Sequence, residues 1–168
     1  MTPNAQAQYS LLVVDDEPDL RTLYELTLLR EGYEVETAGS VEEALQMLKE
    51  RAYSAVITDM RLPDGSGLDI LAHLEADARR EKAIVITAYG SAENAVEALK
   101  AGAFDYLTKP VDLRQFRTVV ASARRSMAPA TTAAASARTV STRAAGIPSP
   151  SASRPSRASG VGNNRSRP

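Results

Sequence analysis

Acidic residues stand at the ends of two apolar runs in this sequence. Asp15 and Asp16 end the first run, and Asp59 ends a later one. Because a buried charge without a partner is costly, carboxylates placed where buried segments end call for an explanation. Thr87 and Lys109 stand near the ends of two further apolar runs. Carboxylates, a lysine and a hydroxyl are together the groups with which proteins handle a phosphoryl group, so these residue types indicate phosphoryl chemistry.

Strands and helices alternate in the predicted secondary structure. Short apolar runs predict five strands, at 10–16, 33–38, 54–59, 83–88 and 104–108. A helix is expected after each strand, and glycines at positions 32 and 102 are expected to end the first and the fourth. The apolar stripes expected to face the core are Leu20, Leu23, Tyr24 and Leu28; Val41, Ala44, Leu45 and Leu48; Leu68, Leu71 and Leu74; Ala92, Ala95, Val96 and Leu99; and Leu113, Phe116 and Val120.

Two helix starts are predicted from capping side chains. Ser40 followed three residues later by Glu43 is a capping-box pattern at the start of the second helix. Asp112 is the expected cap of the fifth helix. The segment 62–67, rich in glycine, proline and polar residues, is predicted to be a loop.

The alternation of strands and helices predicts an α/β fold with a parallel sheet covered on both faces. Five units occupy the first 126 residues, which leaves no room for an eight-stranded barrel. In an open parallel sheet, functional residues gather at the edge where the strands have their carboxyl ends. We therefore expect the three aspartates, Thr87 and Lys109 at one edge of one sheet.

Three carboxylates at one edge repel one another, and without a cation at least one of them would take up a proton. Oxygen ligands without a neighbouring histidine or cysteine suit Mg²⁺, so we predict a Mg²⁺ site. Lys109 would supply a positive charge and Thr87 a hydrogen-bond donor. A carboxylate can itself attack phosphorus, which produces an aspartyl phosphate.

Four separated motifs, "VVDDEPD", "VITDMRLPDGSGLDIL", "VITAYG" and "GAFDYLTKPVDL", resemble those of response-regulator receiver domains of bacterial two-component systems. The similarity covers about residues 9–126 and is strongest to receivers of NtrC-type, σ54-dependent regulators, such as regulators of type IV pilus genes. It implies a flavodoxin-like (βα)5 fold whose parallel sheet has the strand order 2-1-3-4-5.

The resemblance also implies how the site works. Asp59 would be the phosphorylated residue, and Lys109 would contact the phosphoryl oxygens. Asp16, Asp59 and the backbone carbonyl of Arg61 would bind Mg²⁺ directly, while Asp15 would act through a water molecule. The phosphoryl group would come from a sensor histidine kinase, so the chain would be a signalling domain and not a conventional enzyme. Phosphorylation from small donors and self-dephosphorylation are compatible with that role.

A switch is implied by the same resemblance. Thr87 would move toward the phosphoryl group while the ring of Tyr106 turns inward, and Ala88 is the small residue that the family prefers beside the phosphate. Pro110 is a candidate for a cis peptide bond. The switch would remodel the face formed by helix 4, strand 5 and helix 5, through which the phosphorylated chain is expected to form a homodimer.

Composition divides the chain at about residue 127. Residues 127–168 contain six arginines and no acidic residue, so they carry +6, and residues 1–126 carry −7 of the net −1. The Ala/Ser/Pro/Arg-rich segment has almost no large apolar residues and is predicted to be a disordered tail, as are residues 1–8. There is no cysteine, signal peptide pattern or membrane-length apolar run, which favours a cytoplasmic protein without membrane contact.

Other functions are less compatible with these motifs. A metal-dependent small-molecule phosphatase would carry D-x-D-x-T after the first strand, where this chain has "DDEPD". A flavodoxin-like cofactor binder would want a hydroxyl-rich phosphate loop there. No ATPase or helix-turn-helix motif follows. The resemblance implies transcriptional control in a full-length relative, and the alternative is a stand-alone or truncated receiver that acts only through protein contacts. Nucleic-acid binding would need an output domain beyond this sequence, apart from weak contacts of the basic tail.

Overall fold

The computed structural model describes residues 9–88 and 91–129. Of the segments predicted to be disordered, 1–8 and 127–168, all residues except 127–129 lie outside the described residues. The strands are β1 (Ser10–Val14), β2 (Glu34–Ala38), β3 (Ala55–Asp59), β4 (Arg61–Leu62), β5 (Gly65–Ser66), β6 (Lys82–Thr87) and β7 (Asp105–Thr108). The helices are α1 (Pro18–Arg30), α2 (Val41–Glu50), α3 (Gly67–Ala76), α4 (Ala92–Lys100) and α5 (Leu113–Arg124).

Five strands form one parallel sheet in the order β2-β1-β3-β6-β7. When only the strands of this sheet are numbered, β6 and β7 are its fourth and fifth strands, so the order is the predicted 2-1-3-4-5. The predicted fold class is confirmed. The segment 62–67 is predicted to be a turn-rich loop, and the structure adds two short strands to it, β4 and β5. β4 and β5 pair as a small antiparallel hairpin, in which Arg61 pairs with Ser66 and Leu62 with Gly65.

The core consists of two layers, one on each face of the sheet. Alternate residues of each strand point to opposite faces. Leu12 and Val14 of β1 therefore pack with α2 and α3, whereas Leu11 and Val13 pack with α1 and α5. Met127 also belongs to the second layer, where its exposed fraction is 7%. The packed part of the chain therefore includes one residue that the composition had assigned to the tail.

Two of the predicted apolar stripes contain residues that are exposed. Leu23 on α1 is 41% exposed, and Val96 and Leu99 on α4 are 49% and 46% exposed. α1 buries the face that carries Tyr24, whose ring packs at 5.2 Å from the ring of Phe116 on α5. α4 buries two alanines, at positions 95 and 98, so the small side chains face the protein and the large ones face outward. Tertiary packing selected these faces.

The predicted caps agree with the structure at Asp112 and only in part at Ser40. The Asp112 carboxylate accepts from the backbone N–H groups of residues 114 and 115. The Ser40 hydroxyl accepts from the backbone N–H of Glu43, but the Glu43 carboxylate accepts from Gly39 and not from Ser40, so the reciprocal box does not form there. The structure places a capping box on Ser66 and Asp69, at the start of α3.

α3 ends with an alanine in the left-handed conformation. Ala78 has a φ of 50°, its N–H donates to the carbonyl of Glu75, and the N–H of Arg79 donates to the carbonyl of Leu74. This pair of bonds is the Schellman arrangement, in which glycine is the preferred residue because an L side chain is strained there.

Ala78→Gly is therefore expected to raise the free energy of unfolding by about 0.5–1 kcal/mol, since the relief of strain exceeds the extra backbone entropy of glycine. Chemical denaturation measures this change. The matched control is Ala72→Gly at an exposed position within α3, which should lower the stability by about 1 kcal/mol. A loss of stability in both variants would contradict the argument.

None of the helices among the described residues has both the length and the apolar character that crossing a membrane requires.

Candidate metal centre

The three aspartates meet at the carboxyl edge of the sheet. β1 and β3 are neighbours, and Val14 pairs with Thr58, so Asp15 and Asp59 follow side by side. Asp15, Asp16 and Asp59 each offer a carboxylate oxygen, and these oxygens all lie within 4.8 Å of one another. Asp15 is fully buried, Asp59 is 6% exposed, and Asp16 faces solvent. The sheet therefore brings together the carboxylates that the sequence separates by more than forty positions.

Asp15 lacks a hydrogen-bond partner for one of its oxygens. Its Oδ1 accepts from the backbone N–H of Glu17 at 2.8 Å, but its buried Oδ2 accepts no hydrogen bond. Burial raises the pKa of the Asp15 carboxyl group; the Glu17 hydrogen bond and the charge of Lys109 oppose that rise, and the two other aspartates add to it. A cation bound here would offset the repulsion between the three carboxylates and the lack of a hydrogen-bond donor at Asp15 Oδ2. The set of oxygen ligands therefore fits a hard metal ion.

Lys109 is the positive charge of the site. Its Nζ donates to Asp59 Oδ2 at 2.7 Å and lies 3.9 Å from Asp15 Oδ2 and 3.8 Å from Glu17 Oε1. Burial lowers the pKa of Lys109, but the hydrogen bond to Asp59 and the charges of the three carboxylates outweigh burial, so the pKa is raised overall. Lys109 is therefore charged at neutral pH. The backbone N–H of Lys109 donates to the carbonyl of Thr87, and the Lys109–Pro110 peptide bond is cis.

The residues predicted to form a switch lie on or next to the neighbouring strands β6 and β7. Thr87 ends β6 and is fully buried, and its hydroxyl donates to the carbonyl of Leu107 at 3.4 Å. Ala88 follows at the exposed rim, and Tyr106 on β7 is half-buried. The Thr87 hydroxyl is thus engaged with the neighbouring strand and not with Asp59, which leaves a weak hydrogen bond that a stronger acceptor could replace.

The loop after Asp59 is held from two sides. The backbone N–H of Arg61 donates to Asp59 Oδ1 at 3.3 Å, which puts the Arg61 backbone beside the carboxylate. On the other side of the hairpin, the Asp64 carboxylate accepts from the N–H groups of Val41 and Glu42. These two hydrogen bonds lower the pKa of Asp64. The loop that carries Arg61 is thereby attached to the first turn of α2.

Sequence reasoning missed three residues of this region. Glu17 contacts Lys109, Asp64 caps α2 from another loop, and Gly67 lies against the backbone of Asp59: a Cβ on Gly67 would stand 2.4 Å from the Asp59 carbonyl oxygen. Glu17 directly follows the aspartate pair, which is a usable signal. The roles of the other two depend on contacts between segments that are distant in sequence, and no local pattern marks them.

Comparison with known proteins identifies the family. The family described as "Response regulator receiver domain" matches residues 11–121. The chain is 50% identical over 114 residues to the response regulator protein PilR of Pseudomonas aeruginosa, covering 68% of this chain and 26% of PilR. It is 39% identical over 121 residues to the transcriptional regulatory protein GlrR of Escherichia coli K12, covering 72% of this chain and 27% of GlrR.

A solved structure agrees with this result. The beryllofluoride-activated NtrC4 receiver domain dimer superposes with a TM-score of 0.64 at 33% identity, over 68% of this chain and 94% of that one. The predicted similarity to receivers of NtrC-type regulators is confirmed by these matches. The chain spans about a quarter of the length of the two curated relatives.

Proposed function

This chain belongs to the response-regulator receiver family, and from that membership we propose that it accepts a phosphoryl group on Asp59 from a phosphohistidine of a sensor histidine kinase. The observation that carries the proposal is the hydrogen bond of 2.7 Å between Asp59 and Lys109, at the edge where Asp15 and Asp16 also lie. Asp59 is the better nucleophile of the two buried aspartates, because Asp15 is completely enclosed.

Mg²⁺ is the proposed metal. Asp16, Asp59 and the backbone carbonyl of Arg61 would hold it directly, and Asp15 would act through a water molecule. When bound, Mg²⁺ supplies positive charge that offsets the negative charge of the carboxylates and of the transferring phosphoryl oxygens. The unsatisfied Oδ2 of Asp15 and the absence of histidine and cysteine from the cluster support a hard, oxygen-ligated ion.

The chain's own residues have separate tasks in the transfer. An oxygen of Asp59 attacks phosphorus, and the bond from phosphorus to the histidine nitrogen breaks, leaving its electron pair on that nitrogen. Lys109 transfers its hydrogen bond from the carboxylate to a phosphoryl oxygen, where it stabilises the developing charge. The product carries nearly two negative charges at neutral pH, and this charge attracts the Thr87 hydroxyl away from the Leu107 carbonyl.

The direct test is the intact mass of the chain after incubation with acetyl phosphate. We expect a gain of one phosphoryl group that depends on Mg²⁺. In Asp16→Asn, half-maximal phosphorylation should require at least about tenfold more Mg²⁺, because the substitution removes a ligand. Asp19→Asn, at an exposed acid outside the cluster, should leave the Mg²⁺ requirement unchanged. An adduct that forms equally well in a chelator would contradict the metal assignment.

The surface proposed to respond is the α4–β7–α5 face, which contains Tyr106 and the exposed side chains of Val96 and Leu99. We propose that the phosphorylated chain forms a homodimer through it. Exposed acids on α4, Glu93 and Glu97, could pair with exposed arginines on α5 of the second copy. The apolar pair on α4 would provide the centre of this interface.

Leu99→Arg is expected to weaken the dimer of the beryllofluoride-treated chain by roughly tenfold, since it removes apolar burial and adds a charge. Analytical ultracentrifugation measures the dissociation constant. Leu26→Arg is the matched control, because Leu26 is similarly exposed, at 51%, but lies on α1 outside the proposed face. Equal weakening by both substitutions would exclude this face as the specific interface.

Downstream function is proposed from the relatives alone. The curated relatives are about four times as long as the part that this chain matches. Transcriptional control and direct nucleic-acid binding would be functions of further domains, in the part that the match does not cover. Without them, the chain would act in the cytoplasm through protein contacts. A small-molecule phosphatase is the second candidate, and the acidic cluster is its one support. The segment "DDEPD" after β1 does not match the D-x-D-x-T of such phosphatases, and the matching family is that of receiver domains, so the receiver function is favoured.

A further inference from the structure

Glu17 is a third carboxylate on Lys109, and it differs from the other two in its exposure. The Lys109 side chain is contacted by Asp59 and Asp15, whose side chains are 8% and 1% exposed, and by Glu17, whose side chain is 60% exposed. Glu17 also has a fixed backbone. Its N–H donates to Asp15 Oδ1, and Pro18 directly after it occupies the first turn of α1.

This placement puts a negative charge at the opening of the site. The Glu17 carboxylate lies 3.8 Å from the ammonium group that an incoming phosphoryl group must contact. Like charges repel, and an anion that approaches Lys109 from solvent must either displace Glu17 or remain close to it. Asp59 and Asp15 also repel an approaching anion, but Glu17 is the one of these three carboxylates whose side chain lies largely in solvent.

We infer that Glu17 is a specificity residue that disfavours highly charged small-molecule phosphodonors. The inference rests on the proposed function, because it concerns donors to Asp59. A dianionic donor such as acetyl phosphate meets the repulsion with few other contacts to offset it. A phosphohistidine on a protein partner has a docking interface whose binding energy does offset it.

The inference can be tested with two small phosphodonors that transfer the same phosphoryl group but differ in net charge. With acetyl phosphate, the bond from phosphorus to the acetyl oxygen breaks as the Asp59 oxygen attacks, and acetate leaves with the electron pair. With phosphoramidate, which is monoanionic because its nitrogen is protonated, the bond from phosphorus to nitrogen breaks and ammonia leaves. Both reactions produce the same aspartyl phosphate, but repulsion by Glu17 acts more strongly on the dianion.

The experiment measures the second-order rate of Asp59 phosphorylation by each donor, at saturating Mg²⁺, for the unmodified chain and its variants. Glu17→Gln is expected to raise the rate with acetyl phosphate roughly three- to tenfold and the rate with phosphoramidate less than about twofold. High salt should reduce the difference, since the interaction is partly exposed. Glu17→Asp keeps the charge and should retain most of the discrimination.

Asp19→Asn is the matched control, because Asp19 is also an exposed acid on this segment but does not contact Lys109. It should change both rates by less than about twofold. Equal acceleration of both donors by Glu17→Gln, or no acceleration, would overturn the inference while leaving the proposed function intact. Failure of the unmodified chain to be phosphorylated by either donor would overturn both.

Discussion

Asp59→Asn is expected to abolish phosphorylation of this chain altogether. The amide at position 59 cannot attack phosphorus as a carboxylate oxygen does. The other buried aspartate of the cluster, Asp15, is fully enclosed, and one of its carboxylate oxygens accepts a hydrogen bond from the N–H of Glu17. Incubation with acetyl phosphate and Mg²⁺ should therefore leave the intact mass of the variant unchanged.

The loss should be chemical and not a consequence of unfolding. Asparagine has nearly the same shape as aspartate, its side-chain oxygen can still accept from Lys109, and the substitution removes repulsion between Asp59 and the two other aspartates. The free energy of unfolding is expected to change by less than about 1 kcal/mol, or to rise. Chemical denaturation of the variant without Mg²⁺ measures this.

Asp105→Asn is the matched control for Asp59→Asn. Asp105 begins β7, at the opposite edge of the sheet, and its side chain accepts only from the N–H of Tyr106 among the described residues. This variant should be phosphorylated like the unmodified chain. A phosphoryl group that still appears on Asp59→Asn would show that another residue is the acceptor, and peptide mapping would then locate it.

The second large effect is expected from Gly67→Ala. Gly67 begins α3 where the chain passes the carbonyl of Asp59, and its N–H donates to the carbonyl of Met60. An added Cβ would stand 2.4 Å from the Asp59 carbonyl oxygen and 3.0–3.1 Å from side-chain atoms of Thr58. The nearest of these atoms belongs to the backbone of a buried strand, so the start of α3 must shift.

We expect Gly67→Ala to lower the free energy of unfolding by about 1–3 kcal/mol, the usual cost of overpacking. The shift would also displace Asp59 relative to Lys109, and phosphorylation should slow by about tenfold or more because a misplaced nucleophile reacts poorly. Denaturation measures the first effect, and the rate of adduct formation measures the second.

Gly39→Ala is the comparison that separates a close backbone approach from a general effect of replacing glycine. The atom nearest to an added Cβ at Gly39 is the Arg21 Nη1, at 3.0 Å, which belongs to a flexible side chain and not to the backbone. A shift of a few tenths of an ångström would stretch, but need not break, the hydrogen bond that this nitrogen donates to the Asp15 carbonyl. The cost should stay below about 1 kcal/mol. Similar losses in the two variants would mean that the contact with Asp59 is not the cause.

Much of the site could be predicted from the sequence because of one property of parallel sheets. Asp15 and Lys109 directly follow a strand, Asp59 ends one, and all carboxyl ends of parallel strands lie at the same edge. The local cap at Asp112 was equally accessible, because a cap depends on residues two and three positions away. From the residue types, the sequence also predicts a Mg²⁺ ion and a phosphoryl group at this edge, and both stay predictions.

The helix faces were predicted less well. Leu23, Val96 and Leu99 have helical spacing in the sequence but are exposed, and α4 instead buries two alanines. Spacing shows that a helix has an apolar stripe. It does not show which part of a broad stripe packs on the sheet, because this depends on the side chains of the neighbouring elements.

The sequence by itself therefore determined the alternation of strands and helices and the edge of the sheet where the acids gather. Only the tertiary structure decided that Glu17 contacts Lys109, that Asp64 caps α2, and that Gly67 lies against Asp59. The physical reason is the range of the interactions. Strand ends and helix caps depend on neighbouring residues, whereas these three contacts form between separate segments whose approach is fixed by the packing of the whole domain.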